Sequence, residues 1–132
     1  MKFETESTSP VSNPSAEDIS DGIHSIDGKN TTFAILSMDD MTYLQTAGST
    51  SEGFVLEYQN GSLDEHYRAE SETIETVKII HVFEAFRNGD VSWFDEFKWN
   101  KEDLKTGSGC LSVIAMGTLA VGSLVVLNYL QG

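Results

Sequence analysis

The sequence predicts an α+β domain, with an antiparallel sheet of four to five strands and two helices on one face, followed by a C-terminal transmembrane helix. Three observations lead there. Met41 to Thr46 and Phe54 to Gln59 alternate their side chains with a period of two, and the Asn60-Gly61 pair that follows is a two-residue hairpin signal. Two other stretches, starting at Ser15 and at Thr73, repeat apolar residues at intervals of three and four, the spacing of a helix face. The run Cys110 to Leu130 carries no charged side chain, and its length matches the about 20 residues needed to cross a hydrocarbon core at about 1.5 Å per residue.

Taken in order, residues 1–14 are rich in Ser, Thr, Asn and Pro and bury too little to order themselves, so they are expected to form a disordered arm. The domain is expected over residues 15–99. Ser15 can cap a first helix, with Glu17 and Asp18 in its first turn and Ile19, Ile23 and Ile26 on its apolar face; Gly28 ends it. Thr31 to Ser37 favours a strand, Asp39-Asp40 a turn, and Met41 to Thr46 a second strand. Ala47 to Gly53 reads as a small-residue loop. Phe54 to Gln59 is the clearest strand, and Leu63 to Glu70 returns beside it. Thr73 to Asn88 is the second helix, with an expected buried stripe of Val77, Ile79, Ile80, Phe83 and Phe86. Val91 to Trp99 alternates as a strand or an extended aromatic cover, with Trp93 and Phe97 assigned to the core. Residues 100–109 are polar and end in glycines, which makes them a linker to the span at 110–130.

The charge balance narrows the function. Twenty-one acidic residues against 8 basic ones give a net charge of −13, and every charged residue lies at or before Lys105. Such a surface repels phosphate backbones and anionic headgroups, which disfavours nucleic acid and favours a basic protein partner. The residues expected to meet that partner are Asp39, Asp40, Glu57, Asp64 and Glu65, with Trp99 as an aromatic anchor. No catalytic constellation is visible. His24, His66 and His81 have no metal-ligand spacing, no Gly-x-Ser-x-Gly elbow occurs, and the glycines between Gly48 and Gly53 are not followed by a lysine. Neither a metal nor a cofactor is expected, and adjacent acids such as Asp39-Asp40 read as turn chemistry.

The tail carries the localisation. Residues 1–14 have no apolar stretch of the kind that forms a secretory leader. Lys98, Lys101 and Lys105 precede the uncharged run and nothing basic follows it, which puts the N-terminal domain on the cytoplasmic side of a single-pass membrane protein. Within the run, Ala115, Thr118 and Gly122 share a face of small residues that would let another helix, or a second copy, approach closely. Cys110, the lone cysteine, excludes an internal disulfide framework and sits at the boundary where acylation occurs in eukaryotes.

Three segments, Tyr43-Leu44-Gln45-Thr46-Ala47-Gly48, Phe54 through Ser62, and His66-Tyr67-Arg68, resemble small bacterial proteins that include immunity proteins of polymorphic toxin systems. The resemblance covers residues 15–99 and leaves out the tail. It implies a compact α+β domain and a protein partner such as a toxin, and it transfers no site residues. The expected function is a non-enzymatic binding module held to a membrane by its C-terminal helix. The alternative is a structural or assembly subunit that packs through that helix.

Overall fold

The structure, a computed structural model, describes residues 1–104. Its strands are β1 (Lys2–Thr5), β2 (Val11–Ser12), β3 (Phe33–Asp39), β4 (Thr42–Ser49), β5 (Gly53–Asn60), β6 (His66–Ala69) and β7 (Trp99–Glu102); its helices are α1 (Ala16–His24) and α2 (Thr76–Arg87). The strands make one sheet in the order β2-β1-β3-β4-β5-β6-β7, antiparallel at every step. The α+β class and the antiparallel sheet expected from the alternation are therefore present. The sheet has seven strands among the described residues rather than four to five.

The additional strands come from segments expected to be irregular. Residues 1–14 hold β1 and β2 instead of forming a disordered arm. Phe3 lies opposite Leu36 and is 3% exposed, so the segment gains apolar burial and a hydrogen-bonded ladder along β3. Pro14 fastens the end of this segment by accepting a 2.7 Å hydrogen bond from Arg87 Nε on α2. At the other end, β7 occupies the start of the expected linker and pairs with β6. The stretch Val91 to Trp99, expected as a strand or an extended aromatic cover, turns through a short 3-10 helix, Ser92–Glu96, and lays its aromatic side chains against the core.

Strand parity divides the sheet into two faces. One carries Phe3, Ala34, Leu36, Leu44, Phe54, Leu56 and Ala69, which join Ile19 and Ile23 of α1 and Ile79, Val82, Phe83 and Phe86 of α2 in a single core. Both helices thus cover the same face. Ser15 caps α1 in a reciprocal box: its Oγ accepts from the Asp18 backbone N–H at 3.0 Å, and Asp18 Oδ2 accepts from the Ser15 N–H at 2.9 Å. Gly22 lies where α1 crosses Phe3; a Cβ there would meet the Phe3 ring, with Cζ at 2.7 Å. The stripe of α2 keeps Ile79, Phe83 and Phe86 as expected, leaves Ile80 partly buried, and adds Val82 and Ala85. Val77 points outward and is 76% exposed, while Val82 is fully buried.

The β6–β7 end of the core is aromatic. The Tyr58 and Trp93 rings meet edge to face at 5.0 Å, and Phe94 stacks on Trp99 at 4.7 Å. Trp93 is buried as expected, whereas Phe97 is partly buried at the margin. Among the described residues no helix is long and apolar enough to cross a membrane. The expectations for residues 110–130, including Cys110, Ala115, Thr118 and Gly122, and for the rest of the linker, lie outside the described residues.

Candidate functional site

The second face of the sheet carries two polar rows. Register places Glu4, Ile35, Gln45, Glu57, Arg68 and Asn100 side by side in one row, and Lys2, Ser37, Tyr43, Gln59, His66 and Glu102 in the next. Where these rows cross β5, β6 and β7, three groups converge. His66 Nε2 lies 3.0 Å from Glu57 Oε1 and 3.8 Å from Glu102 Oε1. Donor atoms of the three residues all fall within 4.8 Å of one another. His66 is 1% exposed and Glu57 4%, so this chemistry is withdrawn from solvent; Glu102, on the edge strand, has a side chain 37% exposed.

The residues around the trio orient it. Gln59 Nε2 donates to the Met41 carbonyl at 3.2 Å. Its Oε1 is therefore turned toward Tyr43 OH, which donates at 3.3 Å, and toward His66 Nδ1 at 3.0 Å. An amide oxygen can only accept, so Nδ1 donates to Gln59, and Nε2 is the nitrogen directed at the carboxylates. Arg68 Nη1 stands 3.4 Å from Glu57 Oε2 and neutralises part of the acidic charge. Burial, and then the charge of Glu57, raise the Glu102 carboxyl above the ordinary carboxylate range. The same two causes in the same order push the Tyr43 hydroxyl well above its usual value, which keeps it a neutral donor to Gln59.

A second feature lies at the end of the sheet where β3 turns into β4 and β5 leaves toward β6. Asp39 and Asp40 are exposed in the β3–β4 turn, and Asp39 Oδ1 accepts the Met41 N–H at 2.8 Å, the turn chemistry expected of it. Large hydrophobic side chains are exposed among the polar groups at this end: Met38 is 58% exposed, and Met41 and Leu63 are 37% each. A shallow groove of about 370 Å³ runs from this turn to Lys2 and Asn13.

The structure distributes the residues expected to bind a partner. Asp39, Asp40 and Asp64 are exposed at this one end. Glu65 lies nearby but is engaged: Oε1 accepts from Tyr67 OH at 2.5 Å and Oε2 from Lys101 Nζ at 3.1 Å. Those two bonds, Tyr67's first, hold its carboxyl below the usual range. Glu57 is not a surface acid at all; it belongs to the buried trio. Trp99 is stacked on Phe94 and donates through Nε1 to the Phe94 carbonyl at 2.7 Å, so it closes the aromatic core rather than standing out as an anchor. The convergence of Glu57, His66 and Glu102 is absent from sequence spacing, because it depends on which residue of β6 faces which of β5. Parity was the only available signal: Glu57 and Gln59 share a face, as do His66 and Arg68.

No family model matches the chain, and no curated protein and no solved structure matches it either.

Proposed function

We propose that this chain is a non-enzymatic binding module that receives a basic segment of a partner protein at the β3–β4 end of its sheet. The observation that carries the reading is the coincidence of exposed Met38 and Met41 with Asp39 and Asp40 in a protein of net charge −13. Methionine is flexible and polarisable, and it is enriched at protein interfaces. Acids around it select positive partners and steer their approach. The resemblance of the middle of the chain to immunity proteins makes a basic toxin the partner of choice. The uncharged run at residues 110–130 would hold the module to the cytoplasmic face of a membrane.

The binding test uses a peptide that alternates lysine and leucine as the probe, added to the full-length protein. Affinity falls as salt rises from about 0.05 to about 0.5 M, since exposed charges are then screened. Replacing Asp39→Asn and Asp40→Asn together weakens binding about fivefold or more. Affinity indifferent to both salt and the double substitution would remove the reading. The membrane element is tested separately, by fractionating cells that make the chain with and without residues 107–132. Recovery of the intact chain in the soluble fraction would refute it.

A further inference from the structure

We propose that Glu57, His66 and Glu102 form a binding site for a divalent transition-metal ion, with Zn²⁺ the best match to one imidazole and two carboxylates. The donor geometry supports the inference. Ligands at about 2.1 Å in a tetrahedral shell stand about 3.4 Å from one another. The two measured separations from His66 Nε2, 3.0 Å to Glu57 and 3.8 Å to Glu102, lie on either side of that value. Glu102, half-exposed on β7, is the ligand with room to move inward, while His66 and Glu57 would have to separate by a few tenths of an ångström.

The surroundings supply a second, independent argument. Metal-binding imidazoles ordinarily donate their other N–H to a carbonyl or carboxylate that fixes the ring. Here Gln59 does this at 3.0 Å, and it is itself fixed by the Met41 carbonyl and Tyr43. With Nδ1 donating, the Nε2 side facing two carboxylates must be bridged by a positive species, either a proton or a metal ion. Arg68 offsets part of the carboxylate charge, and the part that remains attracts a cation to the Nε2 side. The imidazole argues against Mg²⁺ and Ca²⁺, which take oxygen ligands. Entry is from the β7 edge, where Glu102 reaches solvent. Three protein ligands leave at least one position open, so a group from a partner can complete the shell.

The test is calorimetric titration of the full-length, chelator-treated protein with ZnCl₂, and with MgCl₂ for comparison. The expected result is one saturable equivalent of Zn²⁺ with no comparable Mg²⁺ binding. Glu102→Gln, placed on the edge strand where the fold tolerates it, weakens Zn²⁺ about tenfold or more. His66→Gln abolishes binding, and His81→Gln leaves it unchanged, because His81 lies on the outer side of α2 beside Glu96. The backbone circular dichroism of each variant shows that it is folded, and a shift of the His66 Nε2 resonance on adding Zn²⁺ identifies the ligand atom without any variant. Absence of saturable Zn²⁺ binding, an unmoved His66 resonance, or binding that survives Glu102→Gln but is lost in His81→Gln would each overturn the proposal.

Discussion

Replacing His66 with leucine should expose how much the fold depends on its buried charges. The side chains of His66 and Glu57 are 2% and 6% exposed and meet at 3.0 Å. Removing one member strands the other: Glu57 Oε1 would lose its donor while its Oε2 keeps Arg68 at 3.4 Å. Breaking a buried pair in this way costs about 3–5 kcal/mol, and the surviving Arg68 contact places His66→Leu at the lower end, about 3 kcal/mol. Glu57→Leu should cost a similar amount. The double variant replaces the pair with apolar groups of similar size, and such replacements are often neutral. Here Arg68 and Gln59 would still lose their partners, so the double variant should cost about 3–4 kcal/mol rather than the sum of about 6, a coupling of about 2–3 kcal/mol. Denaturant unfolding of the full-length protein in mild detergent, with a chelator present so that no cation contributes, measures all four corners of the cycle. Singles that each cost under about 1 kcal/mol, or a double that equals their sum, would refute the claim that these groups are buried and coupled.

Other substitutions probe the packing. Val77→Lys, on the outer side of α2, should change stability by no more than about 0.5 kcal/mol, whereas Val82→Lys forces an unpaired charge into the core and should prevent folding, as circular dichroism would show. Equal effects at the two positions would mean that α2 is rotated. Gly22→Ala gains about 1 kcal/mol of helix propensity but drives a methyl into the packed Phe3 ring, which costs about 1–3 kcal/mol; the net effect should be a lower melting temperature. Asp27 Oδ1 accepts the N–H groups of Lys29, Asn30 and Thr31 at 2.9, 2.9 and 3.1 Å, and these bonds hold its carboxyl below the usual 3.8. The charged form is thus favoured in the folded state, so its contribution is present above pH 3.8 and lost as the pH falls through the lowered value. Stability of wild type and Asp27→Asn, followed from pH 6 down to about 2, should converge at the acid end; a constant difference would show that the carboxylate is not responsible.

What the sequence reveals of this fold depends on the range over which each interaction acts. β4, β5 and both helices were legible because their signals are local: alternation around Leu44 and Leu56, the Ser15 cap, and the three- and four-residue spacing around Ile19 and Phe83. β1 was illegible because one phenylalanine in a polar arm orders itself only against Leu36, more than thirty residues away. Val77 faces outward against expectation because a helix with apolar residues on several lines does not declare which line faces the sheet. The same limit hid the trio. Glu57 looked like an alternating surface acid, and only the pairing of Gln59 with His66 and of His66 with Glu102 turns it inward against a histidine. The acidic turn at Asp39-Asp40 was legible, but its methionine neighbours gained meaning only once Met38 and Met41 proved exposed.

The most direct test of the binding account is a methyl spectrum of the four methionines, Met1, Met38, Met41 and Met116, recorded while the lysine-leucine peptide is added to the full-length protein. Met38 and Met41 should shift together along one saturating curve, and Asp39→Asn with Asp40→Asn should flatten it. Methionine methyls that stay in place while the peptide binds elsewhere would contradict the binding account.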